Sequence, residues 1–362
     1  MKERIIQYLA CVDCNSDLEL ISHSQPDPSG HILDGNLVCR ECNNSFPIVN
    51  GIPFFKKDLI DAEVDKNRNN FADEWNYFTS SMDKKNELLA KDELDSYFNP
   101  FVKYEDLENK IVLDGGCGGG RFIYVISKYS HAKEIFGIDL SHAVFTAFKH
   151  TKDKDNVTII QADITRLPFK KKTFDFIYSV GVLHHLPIPI KGFSSLVKHL
   201  KDDGKILTWV YGKEGNFLYI KFADPIRQFI TSRLPFKVNL ALSWLISLIV
   251  WLIIWALYLP LNFVLKEKIA NKILPFNEYF MFFRKRGFQD FWRTVFDKMV
   301  PTISYYIQEE EFKQWFSSNN LSHEILFRNG HSWLGIGKRL ERRPNGTSVL
   351  DKNDLAFKTV YK

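Results

Sequence analysis

Five of the six residues from Gly115 to Gly120 are glycine, and they follow directly on the apolar run Ile111-Val112-Leu113. A strand that breaks into such a turn before the helix-like sequence at Arg121-Phe122 restricts the fold sharply. Glycine has no Cβ, so it takes φ > 0 and admits close approach of a bulky ligand to the backbone. The turn points to a nucleotide-like ligand, with a purely structural turn as the competing reading.

The residues downstream repeat the pattern of strand and polar end. Glu134-Ile135-Phe136-Gly137-Ile138-Asp139 predicts a second strand closing on an acid nineteen residues beyond Gly120, where a carboxylate can accept both hydroxyls of a ribose. A third strand is predicted over Val157–Gln161, ending at Ala162-Asp163-Ile164. A fourth runs over Phe174–Ser179 and ends at Val180, shortly before Leu183-His184-His185-Leu186. Strands that alternate with helical stretches of this length predict a doubly wound α/β sheet with its ligand at the carboxyl ends of the strands. A dinucleotide is disfavoured. Gly116-x-Gly118-x-x-Arg121 lacks the third glycine of that fingerprint, and Asp114 would face the like charge of a pyrophosphate. An aminocarboxylate carrying a cationic amine suits the acid better.

Taken together, Val112–Gly120, Gly137-Ile138-Asp139-Leu140-Ser141, Gln161–Ile164 with Leu167-Pro168-Phe169, and Phe174–Ser179 leading to Leu183–Leu186 resemble the class I S-adenosylmethionine-dependent methyltransferases of the type 11-like branch. The resemblance covers about residues 111–211, with a weaker echo to 340. It implies a Rossmann-like seven-stranded α/β sheet and S-adenosylmethionine as the methyl donor. It further implies that Asp114, Gly115, Gly116, Gly118 and Gly120 line the methionine part, that Asp139 with Leu140 holds the ribose, that Asp163 and Ile164 bracket the adenine, and that Val180 lies near the methionine end. His184 and His185 fall beside the expected methyl group. One of them is a candidate general base, with packing of the following helix as the competing role.

The front of the chain is a different object. Cys11-x-x-Cys14 and Cys39-x-x-Cys42, 24 residues apart, predict a four-cysteine zinc ribbon with a long hairpin, two disulfides being the alternative. Met1-Lys2-Glu3-Arg4 is too polar to open a secretory signal, so a reducing cytoplasm and a structural Zn²⁺ are expected. Cys117 reads as a small buried filler. With Phe46–Phe55, the ribbon is similar to the small zinc-ribbon proteins that activate RNA and protein methyltransferases, which raises an RNA acceptor as an alternative. A net charge of +5 over 362 residues is mild and its basic residues are dispersed, so nucleic acid is expected to be the lesser candidate.

The chain divides into a ribbon (1–55), a helical linker or cofactor lid (56–110), a donor-binding core (111–211), an apolar helical insertion (212–304), a closing helix and β-hairpin (305–340) and a tail read as disordered (341–362). The insertion carries no charge from Val238 to Leu265, a run long enough to span a bilayer. A single crossing is excluded because the expected helix Gln308–Asn319 and the hairpin 324–337, turning at Asn329-Gly330, must rejoin the sheet. Basic residues flank both ends, and Pro260 could turn the chain back, so a monotopic or re-entrant contact with the cytoplasmic membrane face is expected, the alternative being a helix buried within a large lid or a dimer interface. From this lid the acceptor is expected to be an apolar or lipid-linked small molecule, with Asp297 and Tyr305 as candidate substrate contacts. A non-catalytic partner subunit is the third reading.

Overall fold

A computed structural model describes residues 1–55, 61–78 and 81–339; the expectation for 341–362 lies outside the described residues. Four strands form the ribbon: β1 (Leu18–Ser22), β2 (Asp34–Cys39), β3 (Ser45–Val49) and β4 (Ile52–Phe55). Two helices follow, α1 (Ala62–Phe78) and α2 (Lys84–Phe98). The core then alternates β5 (Ile111–Gly115), α3 (Arg121–Tyr129), β6 (Glu134–Asp139), α4 (Val144–Thr151), β7 (Val157–Ala162), β8 (Phe174–Val180), α5 (Pro189–Lys198) and β9 (Leu200–Tyr211).

Eleven strands make one sheet, in the order β1-β2-β3-β4-β7-β6-β5-β8-β9-β11-β10, where β10 is Leu321–Arg328 and β11 is Ser332–Arg339. Counted from β5, the last seven strands run 3-2-1-4-5-7-6, the first five parallel and β11 antiparallel to β9. This is the class I methyltransferase sheet. Its carboxyl rim gathers the ends of β5, β6, β7 and β8, so the polar strand ends read from the sequence meet along one edge.

The ribbon is not an appendage. Asn50 and Gly51, both at positive φ (51° and 82°), turn β3 into β4, and β4 then pairs parallel to β7, with Phe54 opposite Gln161. Extending the sheet in this way satisfies the free edge of β7. Tyr8 packs edge-on to Phe136 at 5.5 Å, the Lys170 N–H donates to the Tyr8 carbonyl at 2.9 Å, and Arg4 pairs with Glu134 at 2.8 Å. Ile5, Leu37 and Ile48 of the ribbon share one continuous core with Phe136, Phe169 and Ile177.

Between β9 and β10 lie α6 (Asp224–Phe229), α7 (Phe236–Ile253), α8 (Leu259–Leu265), α9 (Glu267–Ile273), α10 (Asn277–Arg286), α11 (Phe288–Met299) and α12 (Glu309–Ser318). The last of these buries Phe312, Trp315 and Phe316. Gly335 and Gly337 of β11 make room for it, since a Cβ at either would come within 2.7 Å of the Phe316 ring. Asn329 and Gly330, at φ 49° and 68°, close the β10–β11 hairpin. Both ends of the insertion thus return to one sheet. Pro260, expected to turn the chain back, does not. A π-helical turn at Ile254–Tyr258 precedes it and accommodates its ring and missing N–H, so Phe236–Leu265 is one 30-residue helical run. The chain reverses later, at Lys266 with φ 62°.

Candidate active site and metal centre

Gly116, Gly118 and Gly120 hold φ of 94°, 49° and 77°, which a side chain would strain. Packing adds a second constraint. A Cβ on Gly116 would meet Val182 at 2.4 Å, one on Gly120 would meet Ala147 at 2.7 Å, and Gly118 lies under the Trp75 ring of α1. The turn is therefore fixed by its protein neighbours as well as opened for a ligand.

Asp139 closes β6 beside it. One carboxylate oxygen accepts the Gly118 N–H at 2.9 Å and the other accepts the Ser141 N–H at 2.7 Å, leaving further lone pairs for two ribose hydroxyls. Burial raises its pKa, against the hydrogen bonds and the nearby Arg68. Arg68, buried on α1, pairs one nitrogen with Asp65 at 2.5 Å, while its Nε and Nη1 have no partner. An acid for the ribose beside unspent guanidinium donors for a carboxylate fits S-adenosylmethionine. Asp163 accepts the Thr165 N–H and hydroxyl at 2.7 and 2.8 Å, Leu140 receives a bond from Gln161, and Ile164 packs beneath Gly115.

Asp114 behaves otherwise. It is buried in the core, accepts the Tyr178 hydroxyl at 2.8 Å, and has its pKa pushed by burial up to about 8. A carboxyl raised in the folded state contributes stability at low pH that is lost as pH rises from the unfolded value, near 4, through about 8. Asp114→Asn is expected to be more stable than the parent above pH 8, by a few kcal/mol at most (about 1.4 kcal/mol per pKa unit). It should also flatten the pH profile; urea titrations at pH 5 and pH 9 measure both. Equal pH slopes in the two proteins would exclude this role.

A chamber opens from the rim toward the insertion. Gly116, Cys117, Val180 and Gly181 form one wall, and Trp209, Tyr211, Tyr279 and Lys298 line it further in. Glu93 of α2 receives Arg121 (2.8 Å), Arg293 (2.9 Å) and Arg286 (3.5 Å), and the two insertion arginines also hold Asp290. Burial pushes the Glu93 pKa up, but the three guanidinium groups outweigh it and hold the carboxylate ionised. Glu74 is also buried here, with Oε2 unpartnered; burial and then Asp297 raise its pKa, which favours the neutral acid.

Lys298 stands apart from these pairs. Its ammonium makes no ion pair within 4.0 Å among the described residues and lies 4.2 Å from the Tyr211 ring centre. Burial lowers its pKa to about 8, against the attraction of Asp297. Asp297, expected as a substrate contact, does line the chamber and accepts the Tyr211 hydroxyl at 2.9 Å.

Three expected residues lie elsewhere. His184 is fully buried behind Tyr211, ring centres 4.1 Å apart, with neither ring nitrogen partnered, and burial drives its pKa far down. His185 is bonded through Nδ1 to the Ile303 carbonyl at 2.7 Å and its pKa falls to about 4, first through burial. Both pack the lid against the rim rather than facing the chamber, which corrects the general-base expectation. Tyr305 is half exposed, its N–H donating to the His184 carbonyl at 2.9 Å, and does not line the chamber either. Lys298, Arg286 and Arg293 went unread because nothing local to a helix of mixed composition says that it folds over the rim.

In the ribbon, Sγ of Cys11 lies 3.5 Å from that of Cys42, Cys14 3.4 Å from Cys39 and 3.7 Å from Cys42, and all four thiols sit within 4.8 Å. A tetrahedral zinc with bonds of about 2.3 Å sets sulfur atoms roughly 3.8 Å apart. The separations far exceed a disulfide bond of about 2.05 Å. The four thiols fit a Cys₄ zinc site.

Residues 113–208 match the methyltransferase domain family, and residues 2–51 match the Trm112p-like protein family. The chain therefore joins a class I methyltransferase domain to a Trm112p-like zinc ribbon. Among curated relatives, the tRNA U34 carboxymethyltransferase of Aliarcobacter butzleri is 29% identical over 123 residues, 32% of this chain and 40% of that protein. The protein of the same name from Pseudoalteromonas translucida is 32% identical over 115 residues, 31% of this chain and 35% of that protein. The chain thus spans well under half the length of these relatives. Among solved structures, a complex between the Haloferax volcanii Trm112 methyltransferase activator and a methyltransferase aligns with 71% of this chain and 99% of that one, at 13% identity and a TM-score of 0.38.

These relatives overturn two expectations, the apolar small-molecule acceptor and the low rank given to nucleic acid. Folding also gathers into the chamber arginines that are dispersed along the sequence, where Glu93 and Asp290 pair them.

Proposed function

We propose that this protein is an S-adenosylmethionine-dependent methyltransferase whose acceptor is RNA, tRNA being the first candidate. The observation that carries the reading is the chamber itself, which opens directly off the donor turn at Gly116 and Val180 and is lined by aromatic rings and cations. Trp209 and Tyr279 offer ring surface on which an unstacked base can lie, while the Tyr211 ring is already covered by Lys298 and His184. Two of the curated relatives, aligned over 123 and 115 residues, are named as tRNA-modifying enzymes.

Bound S-adenosylmethionine supplies an electrophilic methyl group on a sulfonium. The chain's own residues then orient and deprotonate. Asp139 and Arg68 hold the donor's polar ends, the aromatic walls exclude water, and the uncharged form of Lys298 accepts a proton where the acceptor atom carries one.

Incubation of the full chain with methyl-labelled S-adenosylmethionine and fractionated host tRNA, rRNA, protein and lipid is expected to label the tRNA fraction and release S-adenosylhomocysteine. Label in protein or lipid alone would overturn the acceptor class, and absence of turnover with every fraction would overturn catalysis.

A further inference from the structure

We infer that the outer face of the insertion is a docking surface for an anionic lipid bilayer, on which the enzyme lies without crossing it. The inference is independent of which acceptor is methylated.

The long helix is built inside out. Through its first four turns the buried face is polar, Asn239, Ser243 and Ser247, spaced four apart and 2%, 0% and 0% exposed, with Ile254 and Tyr258 continuing it; Ser243 accepts the Trp292 indole N–H of α11 at 2.9 Å. The face turned outward carries Leu245, Ile249, Leu252 and Trp255. A helix in water places these the other way round, because exposing apolar area costs roughly 25 cal/mol per Å². The pattern continues beyond this helix. Of the 27 large hydrophobic residues exposed among the described residues, 19 fall between Phe217 and Ile273, with Phe229 and Phe263 70% and 90% exposed. A patch of this extent on a soluble protein marks an interaction surface.

Charge selects the occupant. Lys221, Arg233 and Lys237 precede the uncharged run, and Lys266, Lys268 and Lys272 follow it, the last two on α9 beside exposed Ile269 and Ile273. Lysines interleaved with outward apolar residues suit acyl chains beneath anionic headgroups. The core of a protein interface is instead depleted of lysine. Geometry excludes a single crossing, because β9 before the insertion pairs directly with β11 after it, Trp209 opposite Leu334. Helix α11 packs along α7, with Trp251 against Phe291 at 5.8 Å, so the run is braced by the returning half of the insertion rather than standing free.

Flotation of the full chain with vesicles tests the inference. Binding is expected to vesicles of phosphatidylcholine with one-third phosphatidylglycerol, and to be weaker by tenfold or more on pure phosphatidylcholine. Lys266→Gln/Lys268→Gln/Lys272→Gln, which leaves the core untouched, is expected to lower partitioning about a hundredfold. Leu245→Gln/Ile249→Gln/Leu252→Gln should abolish it while circular dichroism stays unchanged. Failure of the parent to float with anionic vesicles at low salt overturns the inference, as does a lysine variant that floats undiminished. A lipid-free dimer that the apolar triple variant splits, with no vesicle binding by the parent, overturns it in favour of a second copy of this chain.

Discussion

Replacing Lys298 with methionine is expected to lower the rate of methyl transfer by about 10²- to 10⁴-fold, the usual loss when a general base is removed. Donor binding should be unchanged, because Lys298 lies among Tyr211, Tyr219 and Tyr279 and not at Asp139. Burial lowers the pKa of this ammonium to about 8, so near neutrality a useful fraction is uncharged. The sign follows. Below pH 8 the protonated amine cannot accept a proton, so activity of the parent should rise with pH and level off above it. Lys298→Met should lack that limb. Lys298→Arg separates charge from proton transfer, since a guanidinium stays protonated throughout. If it retains parental turnover, Lys298 only neutralises charge and the base assignment fails. The pH–rate profiles of the three proteins, with donor affinity measured separately, decide between these roles.

Removing the metal is expected to unfold more than the ribbon. The zinc ligands sit at the end of a sheet that runs without interruption from β1 through β4 into β7, and Ile5, Leu9 and Phe46 belong to the same core as Phe136 and Phe169. Structural zinc supplies about 10 kcal/mol or more of folding free energy to small domains. Even part of that should lower the melting temperature of the whole chain by at least about 10 °C, at roughly 2–4 °C per kcal/mol for a domain of this class. Cys39→Ser should act like a chelator, since Cys39 is fully buried and closes β2. Differential scanning calorimetry with and without chelator provides the measurement. A ribbon transition that leaves the main peak where it was would show the two units to be energetically separate.

The glycine turn, the acid at Asp139, the two Cys-x-x-Cys pairs and the Asn329-Gly330 hairpin were legible because each depends on a few adjacent residues. Glycine at positive φ, a carboxylate at a strand end and thiols three positions apart are local requirements, and local requirements leave local marks. The histidine pair misled for the same reason. Adjacent histidines look chemical, yet whether they face a chamber or a wall depends on Tyr211 and Ile303, 26 and 118 residues away from His185. Asp114 likewise stands beside the donor turn in sequence but turns into the core to meet Tyr178.

By itself, the sequence determined a class I sheet, a donor turn and a four-cysteine ribbon, because strand periodicity, backbone freedom and ligand spacing are written in consecutive residues. It also determined that the apolar run could not cross a membrane once. Only the tertiary structure decided that β4 pairs with the edge of β7, that Arg286, Arg293 and Lys298 of the insertion line the same chamber as Gly116, and that the long helix turns its serines inward and its leucines out. Each of these depends on which surfaces meet across long stretches of chain, and that is set by packing the whole sheet and its lid together, not by any segment alone.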